Sequence, residues 1–470
     1  MAKLQLQGKD LRKTGYPDTP AISIAIQVMH KHFKHHSHKD ALSILKKVLN
    51  EPSAFIHNEQ LAPIATALLP KPVDPLDAEI SMNKQGIPFN VFGGDCISPE
   101  AYHQMYMAAR LPIAVAGALM PDAHSGYGLP IGGVLATDNA VIPYGVGVDI
   151  GCRMCLSVFP LPEKELTAKH HMFKNILTES TLFGSGAAFK QAQQHEVLER
   201  SLFRELPFLI RQQGKAAKQL GTSGAGNHFV ELGIVEVTKD DPAFNLPEGR
   251  YVGLLSHSGS RGLGAAIAQH YTKLAISTRR LQQEIKHLAW LSLDEEAGQE
   301  YWLAMNLAGD YAAACHHTIH DKIARALGVR PTARIENHHN FAWKEQYEGR
   351  EVIVHRKGAT PAGEGVLGII PGSMTMPGFI VKGKGAAAAV NSASHGAGRR
   401  MSRSEAKNSI SGHAMNELLD KHAVTLIGGG IDEAPQAYKD IYAVMNAQKH
   451  LVDTIGLFYP RIVRMDGSRE

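Results

Sequence analysis

Five stretches of this 470-residue chain concentrate cysteine, histidine or aspartate, four of them in turns rich in glycine or serine. They are VGVDIGC (146–152), SGAGNHFVE (223–231), SHSGSRGLG (256–264), ENHHNF (336–341) and SASHGAGRR (392–400). Such turns let backbone amides approach an anion closely, which a core histidine does not need. Singly, each reads as an ordinary polar turn; together on one chain they point to metal and phosphate chemistry. Asp149 and Cys152, at i and i+3, can reach one ion if the turn between them is tight, with histidines from elsewhere completing a shared site. Cys155 and Cys315 lie in apolar runs and read as small buried hydrophobes.

The phosphate chemistry is not of the common kind. The chain has no GxxxxGK[ST] loop and no Lys-x-Asp-Gly; the nearest approach is RMDG at 464–467. A covalently transferred nucleotide therefore needs another nucleophile, and His395 in SHGAGRR is the best candidate. A neutral imidazole nitrogen attacks an α-phosphate, the phosphoramidate is labile enough to pass the nucleotide on, and Arg399 and nearby glycine amides can hold phosphate oxygens.

The positioning elements follow from hydropathy pattern. Short aliphatic runs at 134–142, 251–257, 351–357, 366–370, 378–382 and 423–428 predict strands. Helical spacing covers 188–219, 263–290, 294–327, 401–421 and 434–455. The two types do not alternate regularly, which favours a mixed α+β domain over a doubly wound sheet. Residues 1–80 differ: the first fifty carry nine Lys or Arg against three Asp, with five histidines. Ile22, Ile26, Val28, Phe33, Leu42, Leu45 and Val48 give them helical spacing. This predicts a basic helical extension, followed by a proline-bearing linker at 68–79, before a catalytic domain at 81–470. Within the extension, His32, His35 and His36 are expected on one exposed helical face rather than in a metal tract.

Overall charge adds little. Forty-nine Lys and Arg against 45 Asp and Glu leave +4, so any polyanion site must be local. No run approaches about 18 apolar residues and the basic N-terminus lacks an apolar signal core, so a cytoplasmic protein without a membrane partner is expected. Four cysteines are too few for a disulfide scaffold.

From about residue 85 onward the chain closely resembles the RtcB family of RNA ligases. The motifs are MPDAHSGYGLPIGGV (120–134), GVGVDIGC, LGTSGAGNHFVEL (220–232), SHSGSRGLG, HHN (338–340), RKGA (356–359), IIPGSM (369–374) and SHGAGR (394–399), in family order. The resemblance implies one large catalytic domain that joins RNA 3′-phosphate or 2′,3′-cyclic-phosphate ends to 5′-hydroxyl ends, using GTP and two Mn²⁺ ions, in RNA repair or tRNA splicing. By motif, Asp149, Cys152 and His228 would bind one ion, and Cys152, His257 and His339 the other. His395 would become guanylylated. Nucleotide contacts would come from Asn227, His228, Phe229, Val230, Glu231, His339 and Asn340. The remainder would come from Pro371, Gly372, Ser373, Met374, Gly378, Gly396, Ala397 and Gly398. Asp122 and His124 would lie near the reaction centre, with Arg261 and Arg399 as RNA or phosphate contacts. A thiolate with imidazoles suits Zn²⁺ at least as well as Mn²⁺, so manganese rests on the resemblance.

Three places depart from the family pattern. Asp466 stands where a C-terminal lysine is expected, Thr375 and Gly378 replace a usual glycine and serine, and the basic N-terminal segment is extra. Two other readings stay open: a guanylylating paralogue that caps or repairs other 3′-phosphate ends, and a non-ligating RNA-binding protein. An activating protein partner is not specified.

Overall fold

A computed structural model describes all residues except 1–3, 5, 18–19, 70–79, 239 and 468–470. The expected linker therefore falls mostly outside the described residues. The chain divides into two compact units, Met1–Ala78 and Glu79–Glu470.

In the first unit, helices Gly8–Thr14, Ala21–His32, His38–Asn50 and Ala62–Leu68 surround Leu11, Met29, Leu45, Val48 and Ile64. Their apolar positions recur at three and four residues, giving each helix one buried stripe. The Tyr16 hydroxyl donates to the Leu45 carbonyl at 2.9 Å, tying the first helix to the third. The histidine tract does not form one helical face. Its helix ends at His32, and Ser37 caps the next by accepting from the Asp40 amide, so His35 and His36 lie in the exposed turn between.

The second unit is mixed α and β, as its irregular alternation predicts. Its larger sheet runs Leu367–Ile370, Gly378–Gly383, Val452–Met465, Phe229–Val237, Gly249–Ser258, Arg153–Pro162, Ala333–His338; Thr425–Ile427 pairs in parallel with Val452–Met465. A five-stranded sheet runs Phe89–Val91, Ala114–His124, Ile131–Thr137, Arg350–Lys357, Asn340–Tyr347. Helices cover one face of the larger sheet. Ile319 and Ile323 of the 32-residue helix Glu296–Leu327 pack with Leu232, Val252 and Leu254. The opposite face gathers Met154, Val235, Leu255, Ile369 and Phe458.

Several sequence-based spans change. The run 134–142 is broken after Thr137, with Asn139 in the left-handed region at φ 43°. Of 188–219, the long α-helix is only Pro207–Gln219, because Pro207 sets its first turn. The span 401–421 splits into Arg403–Ser409 and Gly412–Lys421, and Ser411 caps the second. The helix expected to 455 ends at Ala447, and Val452 begins a 14-residue strand whose Pro460 sits at an irregularity of the pairing. Among the described residues no helix is long and apolar enough to cross a membrane.

The two sheets are joined where the site lies. His339 lies between Ala333–His338 of the larger sheet and Asn340–Tyr347 of the smaller. The return strand Arg350–Lys357 is anchored by Arg356, which is fully buried. Its guanidinium donates to both Glu345 carboxylate oxygens, at 2.5 and 3.0 Å, and to Ser392 Oγ at 2.7 Å. Removing one partner of such a pair strands a buried charge. Glu345→Ala should therefore cost about 3 kcal/mol in chemical denaturation, and replacing both residues by apolar ones should recover most of it.

Candidate active site

Strand register assembles the site. Arg153 pairs with both Ser258 and His338, His257 pairs with both Met154 and Phe229, and Met465 pairs with Phe229. The ends of five neighbouring strands thus coincide at one edge of the sheet. Because side chains alternate between faces, Met154, Phe229, Glu231, Leu255, His257, Val463 and Met465 face one cavity. Cys152 precedes its strand by one residue, His228 precedes its own by one, and His339 follows its own by one.

Here the thiol and imidazoles converge. Cys152 Sγ lies 3.2 Å from His257 Nε2 and 3.5 Å from His228 Nε2. His257 Nε2 lies 3.1 Å from His339 Nε2, and His228 Nε2 lies 2.9 Å from Asp149 Oδ2. The Asp149–Cys152 turn is tight, since the Cys152 amide donates to the Asp149 carbonyl at 3.2 Å. Glycine is obligatory around it: a Cβ on Gly259 would stand 2.0 Å from Asp149 Oδ1, and one on Gly224 1.7 Å from His228 Nδ1.

The donor set fits divalent cations. His257 Nδ1 donates to the Asn227 carbonyl at 2.9 Å, leaving its Nε2 lone pair toward Cys152. His228 Nδ1 and His339 Nδ1 are buried and have no hydrogen-bond partner among the described residues. Burial pushes His257 down to about 3 and His339 well below the usual imidazole range, so both rings are neutral at pH 7 and could serve as ligands. Burial opposes ionisation of Asp149, yet the charge and hydrogen bond of His228 hold it at about 2. Burial and Asp149 push the Cys152 thiol up; its ionisation would therefore be coupled to binding of a cation.

His395 stands beside this cluster, its ring centroid 4.9 Å from that of His339. It follows the short strand Ser392–Ser394, which pairs with Ala359–Pro361. Asp122 Oδ2 accepts from His395 Nδ1 at 2.7 Å and from the His395 amide at 3.2 Å. Asp122 is fully buried; burial alone would raise its pKa, but the hydrogen bond and charge of His395 outweigh that and lower it. The ionised Asp122 fixes the tautomer that leaves His395 Nε2 with its lone pair. His124 Nδ1 donates to the Asp122 carbonyl at 3.0 Å, and burial holds this ring at about 4.

A cavity of about 930 Å³ opens over His257, His339 and His395. Asn227, Phe229 and Glu231 form one wall; Pro371, Gly372, Ser373, Met374 and Gly378 form another. Gly396, Ala397, Gly398, Arg399 and His124 line it near His395. Other expected residues lie elsewhere. Val230 points to the opposite sheet face and is buried. Asn340 bridges the Asp149 carbonyl at 3.4 Å and the Gly358 amide at 2.9 Å. Arg261 lines a smaller cavity with Asp149 and Arg403. Its guanidinium donates internally to Thr222 Oγ1 at 3.0 Å and the Gly184 carbonyl at 2.6 Å. Arg399 likewise donates to the Asp432 and Met401 carbonyls, at 2.7 and 3.0 Å. The apolar wall of Met154, Leu255, Pro460, Val463 and Met465 was missed in sequence; alternation along a correctly placed strand would have found it.

A second group, Cys155, His316 and His320, also has metal-ligand composition. Its nitrogens are already used: Ser157 meets His320 Nδ1 at 2.8 Å, Ser256 bridges His320 Nε2 and His316 Nδ1 at 2.7 and 2.6 Å, and His316 Nε2 reaches the Ser258 carbonyl at 3.0 Å. This group braces the strand behind His257.

The chain matches the family model of the tRNA-splicing ligase RtcB over residues 104–210 and 204–465. It is similar to an RNA-splicing ligase RtcB of Escherichia coli (strain K12), 33% identical over 81% of this chain and 95% of that protein. An RtcB of Mycobacterium bovis is 31% identical over 73% and 95%, and one of Methanococcus maripaludis 29% identical over 76% and 89%. The chain belongs to the RtcB family. Of its departures from the RtcB pattern, Gly378 lines the cavity, while Thr375 and Asp466 do not. The lining ends at Met465, and Asp466 Oδ1 lies 3.9 Å from where a Cβ on Gly184 would stand. Gly378 is not sterically required, because a Cβ there would meet Pro371 Cα at an ordinary 3.5 Å.

The RtcB cluster yields a direct test. Titration with Co²⁺ should give a thiolate-to-metal charge-transfer band, present in His395→Ala and lost in Cys152→Ala. An equally intense band in Cys152→Ala would refute ligation by Cys152.

Proposed function

We propose that this chain is a GTP-dependent RNA ligase that joins a 3′-phosphate or 2′,3′-cyclic-phosphate end to a 5′-hydroxyl end. The observation that carries the reading is the His395–Asp122 pair: Asp122 engages Nδ1, which leaves Nε2 free at a nucleotide-sized cavity beside a Cys/His cluster. His395 Nε2 attacks the α-phosphorus of GTP; an N–P bond forms as the bond to the pyrophosphate oxygen breaks. The guanylate then passes to an RNA 3′-phosphate, whose activated phosphorus is attacked by the 5′-hydroxyl with loss of GMP. A cyclic phosphate must first be opened by water to the 3′-phosphate. His124, neutral at pH 7 and held by the Asp122 carbonyl, is available for proton transfer at this centre.

Asp149, Cys152 and His228 would hold one divalent ion and Cys152, His257 and His339 a second. Bound ions would neutralise phosphate charge and stabilise entering and leaving oxygens. Mn²⁺ is assigned by resemblance to the family, while the donor types suit Zn²⁺ too. Phe229, Glu231, Pro371–Met374 and Gly396–Gly398 would surround the guanylate. The basic unit at residues 1–78 would grip RNA phosphates. Its described residues between 4 and 50 carry eight Lys or Arg against Asp10 and Asp40. Action on RNA repair or tRNA splicing in the cytoplasm belongs to the same proposal. Asp466, at the position of the usual lysine, favours as second reading a guanylylating paralogue that acts on other 3′-phosphate ends.

Incubation with α-labelled GTP and Mn²⁺ should leave an acid-labile label on the protein. His395→Ala should lose it completely while keeping the cobalt band; label persisting in that variant would overturn the assignment. Glu231 supplies a pH test. Burial pushes its carboxyl up to about 8, so it is protonated at pH 7, whereas accepting from guanine N1 and N2 needs the carboxylate. Nucleotide binding then releases a proton, and affinity should rise about tenfold per pH unit toward 8 and level off above it. Equilibrium binding of GTP to Glu231→Gln should be weaker and flat over the same range; a pH dependence unchanged in that variant would remove Glu231 from the guanine site.

A further inference from the structure

Tyr127 is 69% exposed, the largest exposure among the large hydrophobic side chains of the described residues, and it lines the main cavity with His124, Ser125 and His395. An exposed tyrosine alone carries no meaning. Here, however, the backbone beneath it is fixed at three consecutive residues. Gln104 holds Gly126 on both sides, accepting from its amide at 2.9 Å and donating to its carbonyl at 2.5 Å. The buried ammonium of Lys357 donates to the Tyr127 carbonyl at 2.5 Å and to the Tyr144 carbonyl at 3.3 Å. Gly128 adopts φ +69°, and a Cβ on it would press on the His287 carbonyl at 3.1 Å.

The ring itself has two aromatic neighbours set at steep angles to it. Its centroid lies 6.4 Å from Tyr144 and 6.2 Å from His287, at interplanar angles of 87° and 70°. Tyr144 and His287 lie against each other at 4.7 Å. With 69% of the residue exposed beside these two neighbours, much of the Tyr127 ring stays open to solvent. A large aromatic held rigidly in water at a cavity mouth has given up burial energy while keeping a preorganised stacking face. The cavity, about 930 Å³, is at the upper end for one small ligand, so it has room for a nucleotide beyond the guanylate.

We propose that Tyr127 is a stacking platform for the terminal nucleobase of an RNA end delivered to His395. This rests on the RNA-ligase reading above. Stacking is tolerant of base identity because every base has a π-face, which suits an enzyme that must accept different ends. The phenol oxygen is not required, so Phe should substitute.

The test uses the full chain and a nicked RNA with 3′-phosphate and 5′-hydroxyl strands, carrying 2-aminopurine as the terminal base of either strand. Binding should quench its fluorescence with the unaltered protein and Tyr127→Phe but not with Tyr127→Ala. In ligation, Tyr127→Ala should raise KM for RNA between about 5- and 150-fold, with self-guanylylation, which uses no RNA, serving as the reference. An abasic residue at the terminal position of the stacked strand should erase the difference between the unaltered protein and Tyr127→Ala, and which strand does so assigns the end. An unchanged KM, loss of self-guanylylation together with ligation, or a difference that persists with abasic residues on both strands would each overturn the proposal. Failure of the parent reading looks different: the unaltered protein would take no label from GTP, while quenching by Tyr127 would still be measurable.

Discussion

The reaction centre depends on one antiparallel register. Arg153 faces Ser258 on one side and His338 on the other, and His257 faces both Met154 and Phe229. A slip of one residue in any of these pairings would turn His257 or the approach to Cys152 to the helix-covered face. Burial on both faces resists that slip: Leu254 packs on the helical side and Leu255 on the cavity side, so either direction exposes an apolar side chain to the wrong layer. The site is therefore held by the same alternation that stabilises the sheet, and its candidate ligands need no separate scaffold beyond the tight glycine turns.

Burial also sets the chemistry. Imidazoles that are solvated titrate near neutral pH, but those of His124, His257 and His339 are held neutral by loss of hydration. Their lone pairs stay available where protonation would otherwise consume them. The carboxylates behave oppositely because each has a histidine partner, His395 for Asp122 and His228 for Asp149. A fixed anion beside an imidazole both orients the tautomer and stabilises positive charge on the ring.

The chemistry-bearing residues were legible in the sequence because loops with glycine at tight approaches cannot be disguised: Gly224 and Gly259 admit nothing larger. The strands that aim them were far less legible. Arg153–Pro162, Phe229–Val237 and Ala333–His338 escaped notice, and Val452–Met465 was partly read as helix. Strands buried on both faces lose the polar alternation that marks a strand, and Val452–Met465 contains Pro460, tolerated only because the pairing shifts there. The missing register hid the apolar wall of the cavity and the facing of Glu231. The arginines show a further limit: Arg399 reads as a phosphate contact, but Asp432 and Glu433, about thirty residues away in sequence, fold against it and Arg403.

Two Cys/His groups lie on this sheet, and composition does not distinguish them. In the group of Cys155, His316 and His320, every imidazole nitrogen meets a serine hydroxyl or a backbone carbonyl, and one orientation of the hydroxyls satisfies the whole chain with neutral rings. A cation there would have to break several of these bonds and bring its own charge into a fully buried region. Around Cys152 the geometry is opposite. His257 Nε2 and His339 Nε2 approach each other, two ring nitrogens lack partners, and Asp149 adds a carboxylate. The thiol, the carboxylate and the Nε2 atoms meet one another there, so a shared cation could replace these contacts without stranding a serine hydroxyl or a backbone carbonyl. The difference between a structural brace and a candidate metal centre thus lies in what the ring nitrogens meet, and Ser256 and His257, adjacent on one strand, belong to the two groups because alternation sends them to opposite faces.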